Sequence, residues 1–288
     1  MKKLTLLFVV AFLVASCSDD DTGTPASSEI NLSIDGLEDL GADFAYEGWL
    51  IVDGSPVSTG TFTVGESGNL SQTAFEASQA DISAATSFVI SVEPVPDSDP
   101  APASTKILIG DFNGGNTTSL TTGTIGSGFE TAEGVYIVAA PTAGGADGTE
   151  FSGIWFLDNS GAEMVAGLNL PSLSPGWKYE GWVVIDGVPV TTGTFTDVNS
   201  ADEQSPFSDG GPNYPGEDFL NNAPSGLTFP TDIRGDAVVI SIEPSPDNSP
   251  APFALKPLFD MIPETLSGNP YDISNNTTAS FPTGTATR

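Results

Sequence analysis

A seventeen-residue segment occurs twice in this chain, and the repetition constrains the fold more than any other feature. Residues 46–62 read YEGWLIVDGSPVSTGTF and residues 179–195 read YEGWVVIDGVPVTTGTF, identical at twelve positions. Two further pairs of segments match, namely FVISVEPVPDSDPAP at 88–102 with VVISIEPSPDNSPAP at 238–252, and NTTSLTTG at 116–123 with NTTASFPTG at 276–284. Similarity spread over such a distance indicates duplication of a whole structural unit. We therefore predict two similar units.

Each copy of the repeated segment is predicted to form a β-hairpin. Both faces of residues 46–52 are largely apolar, which is typical of a strand covered on both sides. The dipeptide that follows, Asp53-Gly54 or Asp186-Gly187, is a strong signal for a tight turn between two strands. No long stretch shows helical spacing. The predicted fold class is therefore all-β, with two tandem antiparallel β-sandwich domains.

The repeats also set the expected domain boundaries. The first β-sandwich is predicted over residues 29–133 and the second over residues 166–288, with connecting strands at 134–165 that either complete the first sandwich or bridge the two. The second unit carries an acidic insert at 197–237, where the first unit is shorter. Loops of this length without regular structure are uncommon and often functional.

The first residues of the chain indicate export and lipidation. Lys2 and Lys3 precede an apolar run from Leu4 to Ala15 that is too short to span a bilayer, as in a signal peptide. The run leads into LVASC, which resembles the lipobox of bacterial lipoproteins and contains the single cysteine, Cys17. The resemblance implies that residues 1–16 are a signal peptide and that Cys17 carries lipid. Two or more acyl chains would anchor the protein to a membrane without spanning it.

Residues 17–28 are predicted to form an acidic, flexible tether. Acidic residues directly after a lipidated cysteine resemble the export signal of Bacteroidota lipoproteins, and they also suit a simple solvated tether. Both interpretations stay open. The expected location is the outer membrane, with the protein anchored by lipid on either the periplasmic or the cell-surface face.

Composition excludes several classes of chemistry. The chain has no histidine, and its one cysteine is assigned to lipid, so Ser-His-Asp and Cys-His nucleophiles and the usual zinc sites are excluded. The formal net charge of −31 makes nucleic acid a poor partner. Carboxylate chemistry and oxygen-ligated calcium remain.

The repeated carboxylates are the first candidates for such chemistry. Glu47 with Glu93, and Glu180 with Glu243, are the pairs found in both units, and a glycosidase needs two carboxyl groups close together. Alternatively, each accepts hydrogen bonds from the neighbouring backbone in a strand. Repetition favours this structural role, because duplicated units keep residues of the fold, whereas catalysis rarely needs two sites. We therefore expect no enzymatic activity.

The insert offers a second set of candidates. Its acidic residues lie among glycine, proline and asparagine, a setting in which loop oxygens wrap calcium, although they lack the spacing of a regular calcium loop. An ordinary solvated loop is the alternative. Three aromatic residues, Phe207, Tyr214 and Phe219, either form a contact surface for a partner or glycan or hold the loop to the sandwich. The acidic candidates are Asp202, Glu203, Asp209, Glu217 and Asp218.

The order of the repeated motifs resembles the extracytoplasmic C-terminal domain of anti-sigma-K factors. The resemblance implies a β-sandwich outside the cytoplasm. The residues that carry it are Tyr46, Trp49, Asp53, Gly54, Gly60, Phe62, Glu93 and Pro94 in the first unit, and Tyr179, Trp182, Asp186, Gly187, Gly193, Phe195, Glu243 and Pro244 in the second.

The resemblance does not imply sigma-factor binding. Anti-sigma-K factors bind their sigma factor with a helical cytoplasmic domain joined to the outer domain by a membrane-spanning helix, and we find neither in this sequence. The sequence instead favours a non-catalytic binding or structural module of the cell envelope, with an envelope protein or a glycan as partner. The alternatives are an accessory in sigma/anti-sigma signalling and a carbohydrate-binding or carbohydrate-active surface protein.

Overall fold

The computed structural model describes residues 27–246, 249–268 and 270–288. The predicted signal peptide at residues 1–16 and Cys17 lie outside these residues. Within them, none of the helices is long and apolar enough to cross a membrane.

Strands account for most of the regular structure, and the all-β prediction is confirmed. The helical segments are α1 (Gln79–Ala84), α2 (Thr277–Ser280) and two single 3-10 turns at Phe129–Thr131 and Pro141–Ala143. The strands are β1 (Ser27–Asp35), β2 (Phe44–Val52), β3 (Ser55–Phe62), β4 (Ala74–Ser78), β5 (Ser87–Pro94), β6 (Lys106–Asp111), β7 (Thr117–Leu120), β8 (Glu133–Val138), β9 (Gly153–Trp155), β10 (Leu157–Asp158), β11 (Val165–Ala166), β12 (Leu168–Asn169), β13 (Trp177–Ile185), β14 (Val188–Phe195), β15 (Gly216–Asp218), β16 (Ala237–Pro244), β17 (Leu258–Met261), β18 (Tyr271–Asn275) and β19 (Thr283–Thr287).

The two predicted hairpins, β2–β3 and β13–β14, form with the same register. Tyr46 pairs with Phe62 in the first and Tyr179 with Phe195 in the second, and the paired rings stack at 5.4 and 5.6 Å between centroids. Each hairpin has a register shift directly before its tryptophan. In both turns the Asp and the Gly have positive φ, which is the backbone conformation that Asp-Gly favours.

Each unit places a four-stranded sheet, β3-β2-β5-β6 or β14-β13-β16-β17, over a second group of strands. In the first unit that group is β4-β1-β19-β7. In the second unit the sheet continues through β18, β8, β9 and β15, and β12 also pairs with β8. Alternate residues point inward, as Ile30, Leu32 and Ile34 of β1 show, and they join one continuous apolar core.

The units exchange one strand each. The chain leaves the first unit after β7, and its next strand, β8, pairs with β18 and β9 of the second unit. It leaves the second unit after β18, and β19 pairs with β7 and β1 of the first unit. Gly134 lies opposite Ile273, and Gly284 opposite Leu120, so β8 and β19 occupy equivalent positions.

This arrangement differs from the boundaries expected from the sequence. Residues 134–138 were expected among the connecting strands at 134–165, and they belong to the sheet of the second unit. Residues 283–287 were expected in the second sandwich at 166–288, and they complete the sheet of the first unit. The match between the two NTT segments also has no structural counterpart, because Thr117–Leu120 is a strand whereas Thr277–Ser280 is a helical turn. Local sequence cannot indicate which sheet a short strand enters.

Arg288 fixes the exchanged strand β19 in place. Its guanidinium donates to the carbonyl oxygens of Ile82 and Ala85 at 2.9 and 2.6 Å, at the C-terminal end of α1. A positive charge is favourable there because the last carbonyls of a helix have no partners within it. The same guanidinium lies 4.2 Å from the ring centroid of Phe112. Strand exchange and this contact together hold the two ends of the described chain in one unit.

Deletion of residues 283–288 is expected to open the first unit. The ladder partners of β1 and β7 would then face water, so backbone amide exchange in both strands should accelerate strongly, measured by hydrogen–deuterium exchange with mass spectrometry. Strands β13 and β16 of the second unit serve as the internal control and should keep their protection. Unchanged protection of β1 and β7 would show that β19 does not stabilise the first unit.

Candidate functional site

The repeated carboxylates take part in a hydrogen-bonded chain on the outer face of each sheet. In the first unit Trp49 Nε1 donates to Ser91 Oγ at 2.8 Å, and this hydroxyl donates to Glu93 Oε1. The backbone N–H of Ala103 donates to the same oxygen at 2.8 Å. Antiparallel pairing of β2 with β5 brings these side chains to one face.

The second unit repeats the chain atom for atom. Trp182 Nε1 donates to Ser241 Oγ at 2.8 Å, and Ser241 Oγ donates to Glu243 Oε1. The backbone N–H of Phe253 donates to that oxygen at 2.9 Å. We call each set the Trp–Ser–Glu network. The glutamates were identified from sequence, but the serines were missed, although each lies two residues before its glutamate in both repeats.

The other repeated carboxylates, Glu47 and Glu180, accept hydroxyl hydrogen bonds from the paired hairpin strand. Ser58 donates to Glu47 and Thr191 donates to Glu180. Both carboxylates are buried, as are Glu93 and Glu243. Burial raises the pKa of Glu93, against the opposing effect of its hydrogen bonds, and the charges of Asp97 and Glu47 raise it further. The pairs therefore act as internal hydrogen-bond acceptors within the fold.

The insert of the second unit is held to the sandwich by aromatic packing. Phe207 and Phe219 are buried, with ring centroids 6.0 Å apart, and Phe229 lies against both at 5.3 and 5.6 Å. The hydroxyl of Tyr214 donates to the carbonyl oxygen of Met164 at 2.9 Å. Of the two roles considered for the aromatic residues, Phe207 and Phe219 thus hold the loop.

Two acidic residues of the insert are fully buried in β15. Asp218 accepts from Trp155 Nε1 at 2.7 Å and from the backbone N–H of Thr142 at 2.7 Å. Glu217 accepts from the backbone N–H of Phe207 at 3.1 Å and from the hydroxyl of Ser208. Both carboxylates therefore tie distant segments to β15.

Glu217 occupies a position of the apolar core. Strand β15 pairs with β9 as β4 pairs with β1, which places Glu217 where the first unit has the buried Phe75. Burial raises the pKa of Glu217, and its hydrogen bonds to protein donors oppose that shift. No sequence signal distinguishes this glutamate from the solvated acids around it.

The remaining three acidic residues of the insert have three different environments. Glu203 forms an ion pair with Lys178 at 2.5 Å, and Asp209 is exposed. Asp202 Oδ2 accepts from the backbone N–H of Gly216 at 2.7 Å. Among the described residues no group of three or more acidic, histidine or cysteine side chains is positioned to hold a metal ion. Protein donors already occupy most of these carboxylates, so this geometry does not support the calcium hypothesis for the five residues, which stays a prediction.

Asp202 has the most perturbed environment of the insert. Its Oδ1 atom is buried and has no hydrogen-bond partner among the described residues. Burial raises the pKa of Asp202 to about 8, and the charges of Glu217, Glu180 and Glu203 contribute. The side chain packs over Gly193 of β14, where an added Cβ would lie 2.7 Å from Asp202 Cβ.

A polar cleft of about 310 Å³ opens beside the second network and is the candidate binding site. The first unit has Ala45 at the position of Lys178, and its shorter loop supplies no counterpart of Glu203. The cleft offers carboxylate oxygens and one ammonium group, and none of the described residues that line it is aromatic. It suits a ligand with hydrogen-bond donors. Its lining residues are Lys178, Glu180, Thr194, Glu203, Gln204, Glu243, Pro244, Ser245 and Pro246.

Replacing either serine of the networks is expected to destabilise the protein by a similar amount. Ser91→Ala or Ser241→Ala leaves a buried tryptophan N–H without its acceptor and a buried carboxylate without one donor, at a cost of about 1–3 kcal/mol each. Chemical denaturation measures the change. Ser87→Ala, on the same strand as Ser91 but at its more exposed end, is the control and should cost far less. A loss in only one unit would contradict the equivalence of the networks.

Asp202→Asn is expected to flatten the pH dependence of stability. Because the pKa of Asp202 is raised in the folded state, its stabilising contribution is complete below the ordinary carboxyl pKa and is lost as pH rises through about 8. The free energy of unfolding should therefore fall less between about pH 5 and about pH 9 in Asp202→Asn than in the wild type. Asp209→Asn, in the exposed part of the insert, controls for general charge. Equal slopes in all three proteins would refute the assignment.

Comparison with protein families matches residues 14–107 to the family described as "Anti-sigma-K factor rskA, C-terminal". The match covers about a third of the chain and, within the described residues, runs from β1 through the first residues of β6. No curated protein sequence matches the chain, and no solved structure does. The resemblance inferred from Tyr46, Trp49, Asp53 and Glu93 is thus confirmed for the first unit, which is similar to the C-terminal domain of anti-sigma-K factors.

Proposed function

We propose that this chain is a lipid-anchored protein of the cell envelope, in which both units are anti-sigma-K-C-terminal-like domains that act as a non-catalytic binding or structural module. The observation that carries the proposal is the repeated Trp–Ser–Glu network. Glu93 and Glu243 each accept a serine hydroxyl and a backbone N–H in the same arrangement.

The same geometry argues against glycoside hydrolysis. A general acid or nucleophile must approach the substrate, whereas Glu47 and Glu93 are both buried and each accepts at least one protein hydrogen bond. The arrangement recurs in both units, as expected for residues that maintain a fold. A binding role for the cleft beside Lys178 and Glu203 is compatible with this, because binding needs no reactive carboxylate.

The anchor is proposed from the sequence around Cys17. The apolar run, the small residues before the cysteine and the acidic residues after it are the features of an exported lipoprotein. The last two residues of the predicted tether, 27 and 28, already belong to β1, so the first unit would lie nearest the membrane. The proposed location is the outer membrane, on its periplasmic or cell-surface face.

An accessory role in sigma/anti-sigma signalling is the second candidate, and the family match at residues 14–107 favours it. In that role the chain would contact the outer domain of another envelope protein and would not itself bind a sigma factor. A carbohydrate partner has less support, because sugars commonly stack on aromatic rings and the lining residues that the structure describes include none.

Cys17→Ala is expected to abolish membrane association. Without the thiol no lipid can be attached, so the protein should no longer incorporate labelled fatty acid and should move to the aqueous phase in detergent partition. Ser18→Ala, one residue later, is the control and should leave both readouts unchanged. Protease treatment of intact cells then assigns the membrane face.

Two results would contradict the proposal. Retained fatty-acid labelling in Cys17→Ala would exclude lipidation at this residue. Hydrolysis of a glycan by the purified protein, lost in Glu243→Gln or Glu93→Gln while folding is preserved, would show that the carboxylates are catalytic.

A further inference from the structure

We infer that the outer edge of β3 in the first unit is a docking site where a basic, extended segment of a partner protein adds as a further strand. The inference deepens the proposed binding function by naming the surface and the chemistry of the partner. It rests on a difference between the two units at equivalent edges.

In the second unit the chain covers this edge itself. The backbone N–H of Glu203 donates to the carbonyl oxygen of Thr194 in β14 at 2.9 Å. The backbone N–H of Thr194 donates in turn to the side-chain oxygen of Gln204 at 3.4 Å. Asp202 packs over Gly193. Residues 202–204 therefore lie along β14 and occupy both outward-facing backbone groups of Thr194.

In the first unit the equivalent edge is open. Strand β3 pairs only with β2 among the described residues, and Thr61, at the position of Thr194, is exposed. Because the hairpins share one register, the N–H and carbonyl groups of Thr61 point outward. The loop that follows is shorter and reaches only Thr63, which exchanges hydrogen bonds with Ser71 at 2.9 and 2.8 Å.

The open edge has defined ends. Pro56 has no N–H to donate, Gly60 donates its N–H to Ser58 Oγ at 3.1 Å, and Thr63 is already paired with Ser71, so Thr61 carries the outward backbone groups that are available. The register shift beside Gly60, which has a φ of 110°, bends the edge at this point. Unpaired edges of this kind recruit extended peptides through main-chain hydrogen bonds, and native proteins that do not use them usually cover them.

Charge selects the partner. Strands β2, β3 and β4 contain no lysine or arginine, while Glu47, Asp53, Glu66 and Glu76 lie in or beside them. A second copy of this chain, with its net charge of −31, would be repelled. A segment with lysine or arginine is attracted by the same field, which favours its encounter and its discrimination from acidic segments.

The test uses the full chain and a blocked peptide of about eight residues that alternates lysine and threonine. Hydrogen–deuterium exchange with mass spectrometry locates binding. Residues 57–61 should become protected, residues 190–194 should not change, and the effect should weaken with salt. Two matched peptides serve as controls: one with N-methylated amides along a single edge, which cannot pair, and one with glutamate in place of lysine.

Protein variants test the edge independently. Thr61→Pro removes the outward N–H and should abolish protection by the peptide, whereas Thr194→Pro, the same change at the covered edge, should preserve protection of residues 57–61. If Thr61→Pro does not fold, the N-methylated peptide still tests whether binding needs main-chain hydrogen bonds.

Each remaining outcome overturns the inference. The first is that residues 57–61 gain no protection at millimolar concentrations of the lysine-threonine peptide. The second is that the N-methylated or the acidic peptide protects them equally well, and the third is that the peptide protects a different strand edge. Lipid attachment at Cys17 is measured separately, so failure of docking would leave the proposed envelope location standing, and failure of lipidation would leave docking testable.

Discussion

Backbone pairing is the interaction on which the rest of this structure depends. Each unit has a position between two of its strands that only another strand can fill, because the N–H and carbonyl groups there are buried away from water. The chain fills both positions by exchange, with β19 between β1 and β7 and β8 between β18 and β9. The close approach at Gly284, where a Cβ would lie 2.4 Å from the carbonyl oxygen of Ser33, shows how tightly the exchanged strand fits.

Several buried polar side chains of the two sandwiches are also satisfied within the protein. Trp49 Nε1 donates to Ser91, and Ser91 donates to Glu93, so Trp49, and Trp182 in the same way, finds a side-chain acceptor and leaves the backbone ladder intact. In the second unit, Glu217 accepts a hydrogen bond from the backbone N–H of Phe207, and Asp218 accepts one from Trp155 Nε1. Most of the acidic residues that suggested catalysis or calcium binding from the sequence accept hydrogen bonds from donors within the protein.

The sequence predicts what depends on neighbouring residues. The Asp53-Gly54 turn, the hairpin pairing of Tyr46 with Phe62 and the all-β class follow from local pattern and are confirmed. The sheet to which β8 or β19 belongs depends on partners far away in the chain, and TGTAT carries no apolar alternation to indicate it. The burial of Glu217 likewise cannot be predicted from the sequence, because its position in the core follows from the pairing of β15 with β9.

The strand exchange also determines when the first sheet can be completed during folding. Asn31 pairs with Thr287, so the first sheet cannot be completed until residues 283–287 have left the ribosome, although β1 is among the earliest described residues to be made. Contacts so distant in sequence slow folding, since a large loop must close before they form. A first unit that waits for residues 283–287 stays without its complete sheet for longer than a unit built from neighbouring strands would.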